Sequence, residues 1–186
     1  MALEALSSTR FGETMKATRG IIACVVLSVL AISWMVASSS TRASADSDKA
    51  AIVALSRRIA DAIGRGDLEA VMACYVDAKD LVFFEDTIPF QLEGTSEVRK
   101  YIHDLFLGAS DIHDGMEAMS IVVSGHLAAA HYVLPVSWRD KSGAHSERGR
   151  YTQILKKVNG KWLIWHEHFS VPYDPISGKA VLSAKP

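Results

Sequence analysis

The C-terminal half of this chain constrains its fold most, because four strand-like segments follow one another there with only short turns between them. Asn159-Gly160 separates the last two segments, and both residues tolerate the positive φ angles of a two-residue type I′ hairpin. Strands joined by such short turns pair antiparallel, so the sequence predicts an antiparallel sheet of consecutive hairpins. The four predicted strands are residues 116–124, 127–139, 145–158 and 161–171.

Three segments that precede this sheet have the apolar spacing of helices. They cover residues 46–66, the stretch that follows Asp67, and the stretch from Val98 to Phe106. A short run at 81–85, rich in Phe and Val, is typical of a strand. The predicted order α-α-β-α-β-β-β-β is an α+β fold in which three helices cover the concave face of a long, curved antiparallel sheet. A sheet covered in this way leaves a cone-shaped interior.

The N-terminal 45 residues have the composition of an export signal. Basic residues at positions 10, 16 and 19 precede an uncharged apolar run, and a small-residue tract ends in Ala43-Ser44-Ala45. This arrangement is typical of a cleaved secretory signal, so we predict a periplasmic or secreted mature protein. The alternative is an uncleaved membrane anchor at residues 21–37, a run near the lower length limit for a membrane span. Met15 is an alternative start.

The remaining length suits one domain. We assign residues 1–45 to the signal, 46–174 to the domain and 175–186 to a C-terminal tail. The formal net charge is −1 and basic residues occur in short pairs, which argues against nucleic acid as the main partner. The chain has no phosphate-binding loop, dinucleotide fingerprint, nucleophile elbow or zinc-ligand run, so no cofactor is predicted.

Hairpin geometry predicts which side chains of the last two strands share a face. Counting from Val158 opposite Lys161, strict alternation pairs Gln153 with His166 and Tyr151 with His168. The resulting face mixes large apolar groups with two imidazoles, as a small-ligand pocket does; it carries Tyr151, Gln153, Leu155, Trp162, Ile164, His166 and His168. A β-bulge would exchange the two faces locally, so Arg150 is a pocket residue only on that condition.

Three residues are the catalytic candidates. Asp86 follows Phe83-Phe84, and a carboxyl beside large apolar groups can have a raised pKa and act as a base, although a turn before Pro89 explains it equally well. His166 and His168 suit acid/base chemistry or purely structural hydrogen bonds. The two histidines could hold a metal ion only with a third ligand from His131, Asp86 or Glu85, and no compact ligand motif supplies one, so no metal is predicted. The predicted ligand-binding residues are Arg150, Tyr151, Gln153, Trp162 and His131.

The opposite face of the predicted sheet is also apolar, which is unusual for an antiparallel sheet that faces water. An apolar second face indicates a partner, so we predict a homodimer through the convex side of the sheet. The predicted ligand is a small apolar or carbonyl-containing molecule. A membrane is a predicted partner only if the N-terminal segment is not cleaved.

Three motifs, in the element order above, resemble the SnoaL-like branch of the nuclear transport factor two-like superfamily; they are Arg150-Tyr151-Thr152, Asn159-Gly160-Lys161-Trp162 and the run from His166 to Pro172. The resemblance covers roughly Asp48 to Asp174. It implies a cystatin-like, cone-shaped α+β fold, usually dimeric, with a pocket between sheet and helices. Relatives include isomerases, dehydratases and cyclases that transfer protons, and also modules that only bind or assemble, so the resemblance leaves both functions open.

Overall fold

The computed structural model describes residues 44–183, and the fold belongs to the compact unit that begins at Ser47. The predicted signal at 1–45, its cleavage and the alternative anchor at 21–37 therefore lie outside the described residues, apart from positions 44 and 45. None of the helices within 44–183 combines the length and the hydropathy needed to span a bilayer.

Residues 44–183 contain three helices, as the apolar spacing predicts: α1 over residues 44–64, α2 over Leu68–Met72 and α3 over Gly94–Gly108. A tight turn joins α1 to α2, and Gly66 has the positive φ angle of 65° that this turn requires. Asp67 caps α2, because its Oδ1 accepts a hydrogen bond from the backbone N–H of Ala70 at 3.0 Å.

The strands form one seven-stranded sheet and a separate small hairpin. Those of the sheet are β1 (Val82–Phe84), β2 (Gln91–Glu93), β3 (Ser110–Asp114), β4 (Glu117–Ser124), β5 (Leu127–Asp140), β6 (Gly143–Val158) and β7 (Lys161–Ser170). Their order is β2-β1-β7-β6-β5-β3, and β4 also pairs with β5. Every pair is antiparallel except β1 with β7, which is parallel. The hairpin consists of β8 (Tyr173–Asp174) and β9 (Lys179–Ala180).

The predicted fold class is confirmed: this is an α+β fold whose curved, unclosed sheet is covered by helices on its concave face. The hairpin at Asn159-Gly160 is confirmed too, because both residues have positive φ angles, 49° and 78°. The sequence did not predict β2, which has three residues, or β3, which is polar and pairs with the edge of β5.

Apolar side chains from all three helices and from the inner face of β5, β6 and β7 form a single core. Its fully buried members include Ile52, Leu55, Val71, Val98, Leu155 and Ile164. Burial of side chains of this size stabilises the fold by about 1.5–3 kcal/mol each relative to exposure. The core therefore holds the helices against the face of the sheet that also borders the cavity described below.

A β-bulge in β7 changes which side chains of that strand face inward. Leu155 pairs with Ile164 as predicted, but Ile154 then pairs with His166, which leaves Trp165 as the extra residue. The neighbour of β7 changes at the same place: residues 74–76 bond to the backbone of Ile164, whereas β1 pairs with β7 from His166 onward. The predicted pairing of Gln153 with His166 and Tyr151 with His168 is therefore wrong; their partners are Glu167 and Phe169.

Candidate functional site

A cavity of about 330 Å³ lies between the helices and the inner face of the sheet. Apolar side chains form much of its wall, among them Phe83, Ile102, Leu134, Trp138 and Phe169. The polar part of the wall consists of hydroxyl and carboxyl groups, which belong to Tyr75, Tyr101, Tyr151, Thr87, Glu85, Asp86, Asp114 and Glu147. An apolar cavity of this size with a few converging polar groups is typical of a small-ligand site.

Glu85 and Asp86 are adjacent carboxyls that follow the last residue of β1, where the chain leaves the sheet, and both line the cavity. Burial raises the pKa of Glu85 to about 7; a hydrogen bond with Tyr101 opposes this shift and repulsion from Asp86 adds to it. Burial also raises the pKa of Asp86. Two carboxyls this close do not both ionise readily. Near neutral pH one carboxyl of the pair can therefore carry a proton while the other is ionised.

Asp114 of β3 and Glu147 of β6 bring two more carboxyls to the cavity wall. Burial raises the pKa of Asp114 to about 6, and repulsion from Glu167 adds to the shift. Burial raises the pKa of Glu147 to about 7, and repulsion from Asp86 adds to it. Neither carboxyl receives a hydrogen bond or an ion pair from residues 44–183.

Glu167 forms the centre of a polar network behind the cavity wall, and its side chain is fully buried. Its Oε2 accepts a hydrogen bond from the Tyr75 hydroxyl at 2.6 Å, and its Oε1 accepts one from Nε2 of Gln153 at 2.7 Å. Burial raises the pKa of Glu167, although hydrogen bonds from Tyr75, Tyr151 and Gln153 oppose the shift. Since Tyr75 and Tyr151 both line the cavity, Glu167 fixes the orientation of two hydroxyls that a ligand can reach.

The ionisable side chains of the described cavity wall are all acids. Among the described residues that line it there are carboxyls and hydroxyls but no Lys, Arg or His. No group of three His, Cys, Asp or Glu residues within 44–183 is arranged to hold a metal ion. The chemistry that this wall can supply is therefore proton transfer by carboxyl groups and hydrogen bonding by tyrosine hydroxyls.

Three of the residues singled out from the sequence belong to this region. Asp86 and Tyr151 line the cavity. Gln153 points to the same side of the sheet but lies behind the wall, where its Nε2 donates to Glu167 and its Oε1 accepts from Ser56 Oγ at 3.4 Å. The proposed role of Gln153 thus changes from a ligand contact to a support for Glu167.

His166 and His168 lie on the outer face of the sheet, so their predicted inward orientation is wrong. The bulge at Trp165 exchanges the faces of β7 beyond Ile164 and turns Glu167 and Phe169 inward instead. The ring nitrogen Nδ1 of His166 is 3.1 Å from the carbonyl oxygen of Val82, and its ring packs edge-on against Phe84. These contacts hold His166 in a structural position outside the cavity.

The other predicted ligand contacts are also outside the cavity wall. The bulge inserts its extra residue in β7 and not in β6, so Arg150 keeps the outward orientation that strict alternation gives it, and its side chain is exposed. His131 is exposed on the same outer face, opposite Thr152. Trp162 is buried in the packed core, where its indole N–H donates to Asp48 Oδ1 at 3.0 Å.

Sequence reasoning missed Glu85, Asp114, Glu147 and Glu167 as members of the site. Glu167 lies between the two histidines, so the count that turned them inward necessarily turned Glu167 outward. Glu85 was considered only as a metal ligand. Glu85 could have been noticed, because it directly follows the apolar run at 81–84, as Asp86 nearly does. Which of the acidic residues share a cavity depends on the bulge and on β3.

Comparison with known proteins identifies relatives of the same fold. The family model for the SnoaL-like domain matches residues 52–174. No match was found among the curated proteins.

A similar solved structure is an NTF2-like protein of unknown function from Pseudomonas putida KT2440, with 24% identity, a TM-score of 0.68, and coverage of 76% of this chain and 98% of that one. Another, from Streptomyces avermitilis, is a suggested dehydratase of the NTF2-like family, with 18% identity, a TM-score of 0.61, and coverage of 67% and 97%. A third, from Novosphingobium aromaticivorans DSM 12444, is a suggested scytalone dehydratase, with 17% identity, a TM-score of 0.60, and coverage of 66% and 82%. Identities this low show the shared fold alone.

Proposed function

Because this chain belongs to the SnoaL-like domain family, we propose that its cavity binds a small organic molecule and catalyses a proton transfer on it. The observation that carries the proposal is the adjacent pair Glu85 and Asp86 in an otherwise largely apolar cavity. Carboxyls whose pKa values lie near working pH are effective acids and bases, and burial moves Glu85 into that range.

In the proposed reaction, Asp86 is the base and Glu85 is the acid. Asp86 in its carboxylate form removes a proton from a carbon next to a carbonyl group, and the electrons of the C–H bond move onto the carbonyl oxygen. Glu85, whose pKa of about 7 keeps it partly protonated near neutral pH, then gives a proton to a second position of the substrate. The electrons on the oxygen then return and re-form the carbonyl group. The substrate is isomerised if the second position is the far carbon of an adjacent C=C bond, or it loses water if that position is a hydroxyl group on the β carbon. The proton on Asp86 finally passes to Glu85 and restores the pair.

Tyr75 and Tyr151 are the proposed partners of the negative oxygen that forms when the proton leaves. Both hydroxyls line the cavity and both bond to Glu167. Burial favours the protonated form of Glu167, and a protonated carboxyl can donate to one tyrosine oxygen so that this tyrosine is free to donate into the cavity. Donors fixed before the reaction stabilise a developing oxyanion without reorganising, which is the main advantage of such an arrangement.

Exchange of carbon-bound protons with D₂O tests the proposal without knowledge of the natural substrate. With 4-phenylbutan-2-one as probe, we expect the wild-type protein to accelerate deuterium incorporation next to the carbonyl, as followed by NMR. Asp86→Asn should lower the acceleration about 100-fold, the lower range for removal of a general base. His168→Ala is the control and should leave it unchanged, since His168 lies on the outer face.

The same assay separates catalysis from the alternative function, a module that only binds. If the probe perturbs the NMR signals of cavity residues but its protons exchange no faster than in buffer, the cavity is a binding site without a reaction. If exchange is accelerated equally in wild type and in Asp86→Asn, the assignment of Asp86 as the base is wrong.

We also propose that the mature protein is exported and forms a homodimer. Export is supported by the basic region, the apolar run at 21–37 and Ala43-Ser44-Ala45; N-terminal sequencing of the protein recovered from outside the cytoplasm should begin at Asp46. Dimerisation is supported by the half-buried Val133, Ile154 and Leu163, which lie in β5, β6 and β7 on the helix-free face of the sheet. Sedimentation should give twice the monomer mass, and Ile154→Arg should reduce it to the monomer.

A further inference from the structure

We propose that the ligand of this cavity is a small organic cation, an ammonium compound with an apolar body. This inference rests on the proposed function only in placing the ligand in the cavity between the helices and the sheet, and it adds the chemical class. It is carried by the unbalanced charge of the wall, by polar groups that lack partners, and by the aromatic side chains around them.

The carboxyls of the cavity have no cation to balance them. Glu85, Asp86, Asp114 and Glu147 reach it from the end of β1, from β3 and from β6, and none of them forms an ion pair with a residue in 44–183. Elsewhere acidic side chains do find cations, as Asp80 does with Lys156 Nζ at 3.5 Å. Buried or half-buried carboxyls without a partner are costly, and a bound ammonium group would balance them.

Polar groups on the cavity side of the sheet also lack hydrogen-bond partners. Asp114 and Glu147 accept no hydrogen bond from the described part of the chain. Tyr132 is 7% exposed, and its hydroxyl bonds to no described residue. Its ring lies 5.1 Å from that of Tyr151, on the face of β5 that also carries Leu134 and Trp138. An ammonium group has three donors and no acceptor, which matches the carboxylates of the cavity wall as acceptors.

Aromatic side chains surround the same space. Phe83 and Tyr101 meet edge to face with ring centroids 5.9 Å apart, and Trp138 and Phe169 complete the wall. Aromatic faces attract cations through their negative quadrupole, and they also cover the apolar body of a ligand. The combination of carboxylates and aromatic rings is the usual environment for an organic ammonium ion. A metal ion is not supported, because no three ligands within 44–183 come together.

The pH dependence of binding follows from the groups that face the cavity. The acids are Glu85 and Asp86 after β1, Asp114 in β3, Glu147 in β6 and Glu167 behind the wall. The hydroxyls are those of Tyr75, Tyr101 and Tyr151, and His113, beside Asp114, favours the charged form of that carboxyl. The pKa values of Glu85 and Glu147 are about 7 and that of Asp114 is about 6. A cation therefore binds more tightly as these carboxyls lose their protons between about pH 5 and pH 8.

Binding of three compounds of equal size tests the charge of the ligand directly. The probes are 2-phenylethylamine, 2-phenylethanol and phenylacetate, which are a cation, a neutral molecule and an anion. Titrations followed by NMR on the folded chain at about pH 8 should give the amine at least about tenfold tighter binding than the alcohol, or about 1.4 kcal/mol. Phenylacetate should bind weakest. Between about pH 8 and pH 5 the amine should lose this advantage while the alcohol is unaffected.

Two neutral variants of the same shape provide the control. Glu147→Gln and Asp114→Asn, alone and combined, should weaken the amine severalfold at about pH 8 and leave the alcohol unchanged. Equal affinity of amine and alcohol in the wild type overturns the proposal, as does an amine preference that the double variant retains. So does an amine that perturbs no cavity signal at about 10 mM, above the range of a weak millimolar complex. These outcomes concern equilibrium binding, whereas the proposed proton transfer fails or succeeds in the exchange assay.

Discussion

The inner face of the sheet has a packed half and an open half, although the same strands build both. On one side of the bulge at Trp165, Leu155 and Ile164 are fully buried in the same core as apolar residues of α1 and α2. On the other side, the same face holds a cavity lined by carboxyls and tyrosines. We infer that packing is concentrated in one half. The other half can therefore keep a void and unpaired acids, both of which destabilise the fold.

The largest expected effect belongs to the packed half. Ile164→Ala should lower the free energy of unfolding by about 2–5 kcal/mol, because it leaves a cavity among fully buried side chains. Leu134→Ala, at the cavity wall, should cost only about 1 kcal/mol, since its side chain already borders empty space and is half-buried. Urea denaturation measures both. Equal losses at the two positions would remove the distinction between the halves.

Glu167 is expected to show the next largest effect, because it lies where the two halves meet. Glu167→Leu should destabilise the fold by about 1–3 kcal/mol, since it leaves the Tyr75 hydroxyl and the Gln153 amide buried without an acceptor. Glu167→Gln keeps the size and one acceptor oxygen and should cost less. Thermal unfolding of the two variants compares them. A Leu variant as stable as wild type would mean that water satisfies both donors.

The sequence predicts those features of the molecule that depend on the spacing of residues close together in the chain. The Asn159-Gly160 turn and the helical spacing are local features, so the hairpin, the helices and the fold class follow from them. The bulge at Trp165 is not local: it arises where the neighbour of β7 changes from residues 74–76 to β1, a pairing of segments some 80 to 90 positions apart. Asp86 could be found because it follows a predicted strand. Glu167 could not, because a count without the bulge turns its side chain to the outer face.

A smaller effect is expected in the pH dependence of stability, which should reflect the open half. The pKa values of Glu85, Asp114 and Glu147 are raised in the folded state, so the folded chain binds more protons than the unfolded chain between about pH 4.5 and pH 7. Their contribution is therefore fully present below about pH 4.5 and is lost as pH rises through 7. We expect a fall of about 1 kcal/mol in the free energy of unfolding between about pH 5 and pH 8, given solvent screening.

The variant that isolates this effect is Asp114→Asn with Glu147→Gln, which should flatten the fall. Wild type and this double variant must be compared directly, because His166 changes stability with pH in the opposite direction. Partial burial lowers the pKa of His166, so its contribution to stability increases as pH rises toward 6.5. Urea denaturation at several pH values measures both proteins. A slope that the double variant does not reduce would show that the cavity acids are not its source.

The most direct test of the account is a titration of the glutamate side-chain carboxyls by carbon-13 NMR. If the open half of the sheet encloses its acids, the Glu85 signal should titrate at about pH 7, and Glu147 likewise, with each signal lost in the matching Glu→Gln variant. If both titrate near the ordinary glutamate value of about 4.3, the two side chains are in open water. The cavity would then not be the enclosed acidic site that both proposals require.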